Sequence, residues 1–87
     1  MSRIVYVNGD YLPEEDARIS VFDRGFLFAD GVYEVTSVLG GRLVDFPGHL
    51  ARLHRSLAEL DIPAPATDEA IEAIHRELLA RNAVTWR

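Results

Sequence analysis

Apolar positions along the chain change their period near the middle. Residues 3–7 (RIVYV) form a short apolar run that stops at Asn8-Gly9, a strong two-residue hairpin signal, and Tyr11-Leu12 begins the return. Residues 32–39 (VYEVTSVL) are rich in β-branched side chains and run into Gly40-Gly41, with RLVDF following as the partner strand. The segment between, ARISVFDRGFLFADG, carries two glycines and Asp-containing turn pairs. It reads as a structured loop, too apolar to lie free in solvent.

Beyond residue 45 the period becomes helical. Phe46, Leu50, Leu53, Leu57 and Leu60 recur at steps of four and three, an apolar stripe on one helix face. Asp45 stands where an N-cap belongs, and Pro47 falls in the first turn, where its missing N–H costs nothing. Pro63 and Pro65 end this helix. A second helix is predicted from Thr67 or Asp68, with acids in its first turn and a stripe of Ile71, Ile74 and Leu78; Arg81-Asn82 reads as its end. The closing AVTWR looks like a strand beginning, which suggests a piece of a longer chain. The sum is an α+β fold: an antiparallel β-sheet with two packed helices, in one domain spanning residues 1–87.

Composition narrows the chemistry. Eighty-seven residues support one modest core, and 48% apolar with 26% charged residues is the balance of a folded globular domain. With no cysteine there is no disulfide scaffold, thiolate metal site or cysteine nucleophile. All nine basic side chains are arginines, so no lysine is present to form a Schiff base or act as a base. A net charge of −5 with scattered arginines argues against nucleic acid as a partner. No 18-residue apolar run is present to span a membrane, and the opening MSRIVYVNGDY is too short of apolar residues for a signal peptide. The expectation is a cytoplasmic protein without membrane association.

Few residues stand out as chemistry. His49, His54 and His75 form no i,i+4 pair, so no metal site is expected. Arg52 lies about 120° from the centre of the leucine stripe, on a flank shared with His49 and Ser56. Its planar fork suits a phosphate or carboxylate, and a solvated pairing with Glu59 is the plainer alternative. Tyr33, within Asp30-Gly31-Val32-Tyr33-Glu34, offers a phenol at a strand entrance for a substrate carboxylate; a half-buried strand tyrosine is the bland alternative. Asp23-Arg24-Gly25 reads equally as an ion pair and turn bracing the loop.

Taken in order, DRGFLFADGVYEV (23–35), the Gly-Gly hairpin and HLARL (49–53) resemble the small N-terminal domain of the fold-type IV, pyridoxal-phosphate-dependent aminotransferases. Within that family the chain looks most like the D-amino-acid transaminases. The resemblance implies a homodimer in which this domain packs on a larger one that carries the cofactor lysine, with the active site between them. It implies that Arg52 holds the phosphate of pyridoxal 5'-phosphate, that Tyr33 and Glu34 serve substrate binding, and that His49 plays a supporting part. The Schiff-base lysine has no counterpart, so no catalytic residue is assigned in this chain, and the 87 residues alone are expected to be inactive. The activity implied for the intact protein is transfer of an amino group from a D-amino acid, such as D-alanine, to a 2-oxo acid. Aminodeoxychorismate lyase shares the DRG…DG…E run and the HLARL-like arginine. A branched-chain aminotransferase fits less well, because DGVYEV departs from its usual pattern. A non-catalytic interaction domain is the alternative from another class.

Overall fold

The computed structural model describes residues 2–83. Strands β1 (Ile4–Val7) and β2 (Asp10–Pro13) pair antiparallel, with Val7 opposite Asp10 and Ile4 opposite Pro13. Asn8 and Gly9 close this hairpin with φ of 49° and 96°; two successive positive values give the turn whose twist matches the strands. Tyr6 and Tyr11 face each other across the ladder, their rings edge to face at 5.0 Å. Glu14 N–H donates to Arg3 C=O at 2.8 Å, and their side chains form an ion pair beside a short 3-10 turn at Glu14–Asp16.

A second ladder is shorter than its sequence suggests. Only β3 (Val38–Leu39) and β4 (Arg42–Leu43) pair, around the Gly40-Gly41 turn. Among the described residues, 31–37 pair with no strand, although Val44 N–H still reaches Ser37 C=O at 2.9 Å. Among the described residues the single predicted sheet is two separate two-stranded ladders. The α+β class stands, while the strand predicted over 32–39 keeps its partner only at its end. The physical reason is that RLVDF is cut short: Asp45 takes a left-handed conformation (φ 52°) and turns the chain into α2 (Phe46–Glu59). Asp45 occupies the N-cap position but makes no side-chain cap bond, contrary to the cap role predicted for it.

The helices follow their stripes. α2 ends in a Schellman arrangement before either proline: Ile62 N–H donates to Leu57 C=O at 2.9 Å, and Asp61 N–H to Ala58 C=O at 3.2 Å. Asp61 supplies the left-handed residue at φ 55°. α3 (Asp68–Arg81) is capped by Thr67, whose hydroxyl accepts from Ala70 N–H at 3.1 Å. His54 on α2 meets Asp68 at the start of α3 at 2.6 Å. Val38, Phe46, Leu57 and Ile71 are the buried apolar side chains among the described residues, contributed by β3, α2 and α3. The Phe46 ring stands edge-on to His75 at 4.9 Å.

A polar clamp joins the end of α3 to the first hairpin. Ile4 N–H donates to Asn82 Oδ1 at 2.8 Å, and Asn82 Nδ2 donates to the carbonyls of Ile4 and Leu78, both at 2.9 Å. Beside it the Arg81 guanidinium lies 4.4 Å from the centre of the Tyr11 ring.

The segment at 17–31 departs most from expectation. It contains a one-and-a-half-turn helix, α1 (Arg24–Phe28), with Asp23 accepting from Gly25 N–H at 2.8 Å as its cap. Its apolar side chains are exposed, Phe22, Phe26 and Phe28 among them, so nothing in the described residues shields them. The strand read into AVTWR falls on residues 84–87, outside the described residues.

Candidate functional site

Residues 32–38 alternate in burial although most of them pair with no neighbouring strand. Val32, Glu34, Thr36 and Val38 turn toward the helices, while Tyr33, Val35 and Ser37 point out. The alternation separates Tyr33 from Glu34. Tyr33 is 85% exposed, whereas the Glu34 side chain is 18% exposed and faces α2.

Helical spacing places His49 and Arg52, three residues apart, on the same flank of α2. Glu34 receives both. Arg52 Nη2 donates to Glu34 Oε1 at 2.8 Å and Arg52 Nε to Glu34 Oε2 at 3.2 Å, a forked pair on one carboxylate. His49 Nδ1 lies 2.6 Å from Glu34 Oε1 and 3.1 Å from Arg52 Nη2. One nitrogen cannot serve as donor to the first and acceptor from the second at once. The shorter contact, to an anion, assigns the proton to Nδ1 and makes His49 a donor to Glu34. The Arg52 guanidinium first, and the His49 ring second, hold the Glu34 carboxyl below the usual carboxylate range. Glu34 in turn raises the already high value of Arg52.

Two of the three nitrogens of Arg52 are thereby committed. Among the described residues Nη1 has no hydrogen-bond partner, and the side chain as a whole is 54% exposed. Tyr33, Glu34, Val35 and Arg52 line one open groove, so the phenol and the guanidinium singled out from sequence are brought together. Arg52 pairs with Glu34 rather than with Glu59. The chain enters this region through a braced turn. Arg24 Nε donates to Asp30 Oδ2 at 2.7 Å, the guanidinium lies 4.8 Å from the Phe28 ring centre, and Ala29 turns left-handed at φ 57°. The ion pair expected around Asp23-Arg24 thus runs to Asp30, while Asp23 caps α1.

Glu34, grouped with Tyr33 by the family resemblance, does border the same groove; its cluster with Arg52 and His49 is not among the sequence expectations. The signal was present in the period-two reading of 32–39, which already puts neighbours on opposite faces. The partner was not visible, because only tertiary packing brings residues 15 and 18 positions apart into contact.

The profile of the family Amino-transferase class IV matches residues 31–85, which cover the groove and both long helices. The chain belongs to this family. It is similar to the D-alanine aminotransferase of Listeria monocytogenes serotype 4b, at 36% identity over 80 residues, and to that of Staphylococcus epidermidis, at 38% over 80. It is also 37% identical over 78 residues to a putative branched-chain-amino-acid aminotransferase of Methanocaldococcus jannaschii. These alignments take in 92%, 92% and 90% of this chain but only 28%, 28% and 27% of the relatives.

Proposed function

We propose that these residues form the small domain of a pyridoxal-phosphate-dependent aminotransferase that moves an amino group from a D-amino acid to a 2-oxo acid. The observation that carries this reading is the groove bordered by both Arg52, which keeps one uncommitted nitrogen, and the exposed Tyr33. A guanidinium edge fits the phosphate end of the cofactor, because it offers fixed donors and keeps its charge at every working pH. The aldehyde end finds no fit in this chain, which has no lysine. In this proposal that lysine belongs to a larger domain of the complete enzyme, and the exposed apolar side chains of 19–35 pack toward it. The enzyme acts as a homodimer in the cytoplasm.

When bound, pyridoxal phosphate supplies an electron sink for the bonds at the α-carbon of the amino acid. The residues here contribute orientation. Arg52 anchors the charged end, Tyr33 offers its hydroxyl to the substrate carboxylate, and Val35 gives that side of the groove an apolar wall. The names of two relatives, D-alanine aminotransferases, support the D-amino-acid choice. The branched-chain relative supports a second reading of the same site with an L-branched-chain substrate.

Turnover by the complete enzyme separates the two. D-alanine with 2-oxoglutarate should give pyruvate and glutamate, while L-leucine should be a poor donor; the reverse order would select the branched-chain reading. Pyruvate from aminodeoxychorismate without any amino acceptor would select a lyase. Arg52→Ala should weaken pyridoxal phosphate binding by about ten- to a hundredfold with the fold intact. Tyr33→Phe should raise KM for the amino acid while leaving cofactor affinity alone.

A further inference from the structure

We infer that Glu34 is a positioning residue for Arg52, and that His49 completes it: together they fix the guanidinium plane so that the Nη1 edge faces the groove as a pre-set phosphate donor. The inference rests on the proposed role of Arg52 and assigns Glu34 a different task from substrate binding.

An exposed arginine carries several freely rotating bonds, and holding it in one geometry costs rotamer entropy that a ligand must otherwise supply on binding. Here the cost is met before any ligand arrives. Glu34 sits on the inward face of residues 32–38, largely shielded, and grips the Nε and Nη2 side of the fork with both carboxylate oxygens. A carboxylate held this way removes two of the three faces from competition and leaves Nη1 pointing elsewhere. His49, one turn before Arg52 on α2, donates to Oε1 and so prevents the carboxylate from rotating off the fork. The low ionisation range of Glu34 agrees with a carboxylate that stays charged in this setting. Glu34 also offsets the single positive charge of Arg52, so the anchor works by the direction of its donors rather than by net charge.

The two cofactor forms provide the test, since pyridoxal lacks the phosphate and shares the ring. In the complete natural protein, equilibrium titration should show Glu34→Gln reducing the preference for pyridoxal phosphate over pyridoxal by about tenfold, with KM for the amino acid unchanged. Arg52→Ala should abolish that preference, and adding Glu34→Gln to Arg52→Ala should cost nothing more. His49→Asn, which keeps a donor near the Nδ1 position, should retain the preference, and His49→Leu should lose it. If Glu34→Gln fails to fold by far-ultraviolet circular dichroism, the His49 pair alone decides the matter. Additive losses from Glu34 and Arg52, or a raised substrate KM with an unchanged preference, would overturn the positioning role and return Glu34 to the substrate. An unchanged preference in Arg52→Ala would overturn the phosphate anchor and this inference together. Loss with Arg52→Ala but none with Glu34→Gln would overturn this inference alone.

Discussion

Phe46 and Phe26 are the same side chain in two different halves of the molecule, one 7% exposed and the other 67%. Phe46 opens α2 and packs against His75 of α3; Phe26 lies on α1 in a stretch whose apolar groups face outward. The described chain therefore has a packed half built on two long helices and an outward apolar side running through 19–35. Its radius of gyration of 13.9 Å, against about 12 Å expected for a domain of this length, agrees with an incompletely buried chain. Apolar composition and core are thus different things in this chain.

Removing each ring should break the symmetry of that pair most sharply. Phe46→Ala should cost about 3–5 kcal/mol, much of the roughly 4–13 kcal/mol available to a chain of this size. Phe26→Ala should stay within about 0.5 kcal/mol, because little of its ring leaves water on folding. Urea unfolding of both variants of the 87-residue chain checks the contrast, and equal losses would place Phe26 in the core.

The packed half also depends on one polar side chain. Asn82 satisfies both backbone groups of Ile4, so Asn82→Ala should destabilise by about 1–3 kcal/mol through stranded donors and acceptors. The loss should appear as faster amide exchange at Ile4 before the helices open; protection lost equally everywhere would mean the clamp does not act locally.

A smaller effect concerns acid. The folded value of Glu34 is depressed, so its contribution is complete above the ordinary carboxylate value of about 4.3 and is lost as pH falls through the lower folded value. The charged groups facing it are Arg52 and His49. Wild type should therefore lose stability more steeply on the acid side than Glu34→Gln, as read from Tm between pH 5 and 2. Parallel curves would show that the pair contributes nothing to folding.

The sequence alone determined a good deal. Asn8-Gly9 and Gly40-Gly41 mark both turns because few other pairs accept two successive positive φ values, and the leucine stripe and Thr67 mark the helices because these signals act within one or two turns of chain. The period of 32–39 sets neighbours on opposite faces, but not which face is inward: Glu34 and Thr36 turn in while Tyr33 and Val35 turn out. Tertiary structure decided the rest. Whether a β-patterned segment finds a ladder depends on a partner that Asp45 diverts into a helix, and whether an apolar loop is shielded depends on what lies against it. The forked bond between Glu34 and Arg52 is the clearest case. Helical spacing sets Arg52 on a flank, but the carboxylate it meets comes from 18 residues earlier in the chain, on a segment whose inward face ends at the buried Val38.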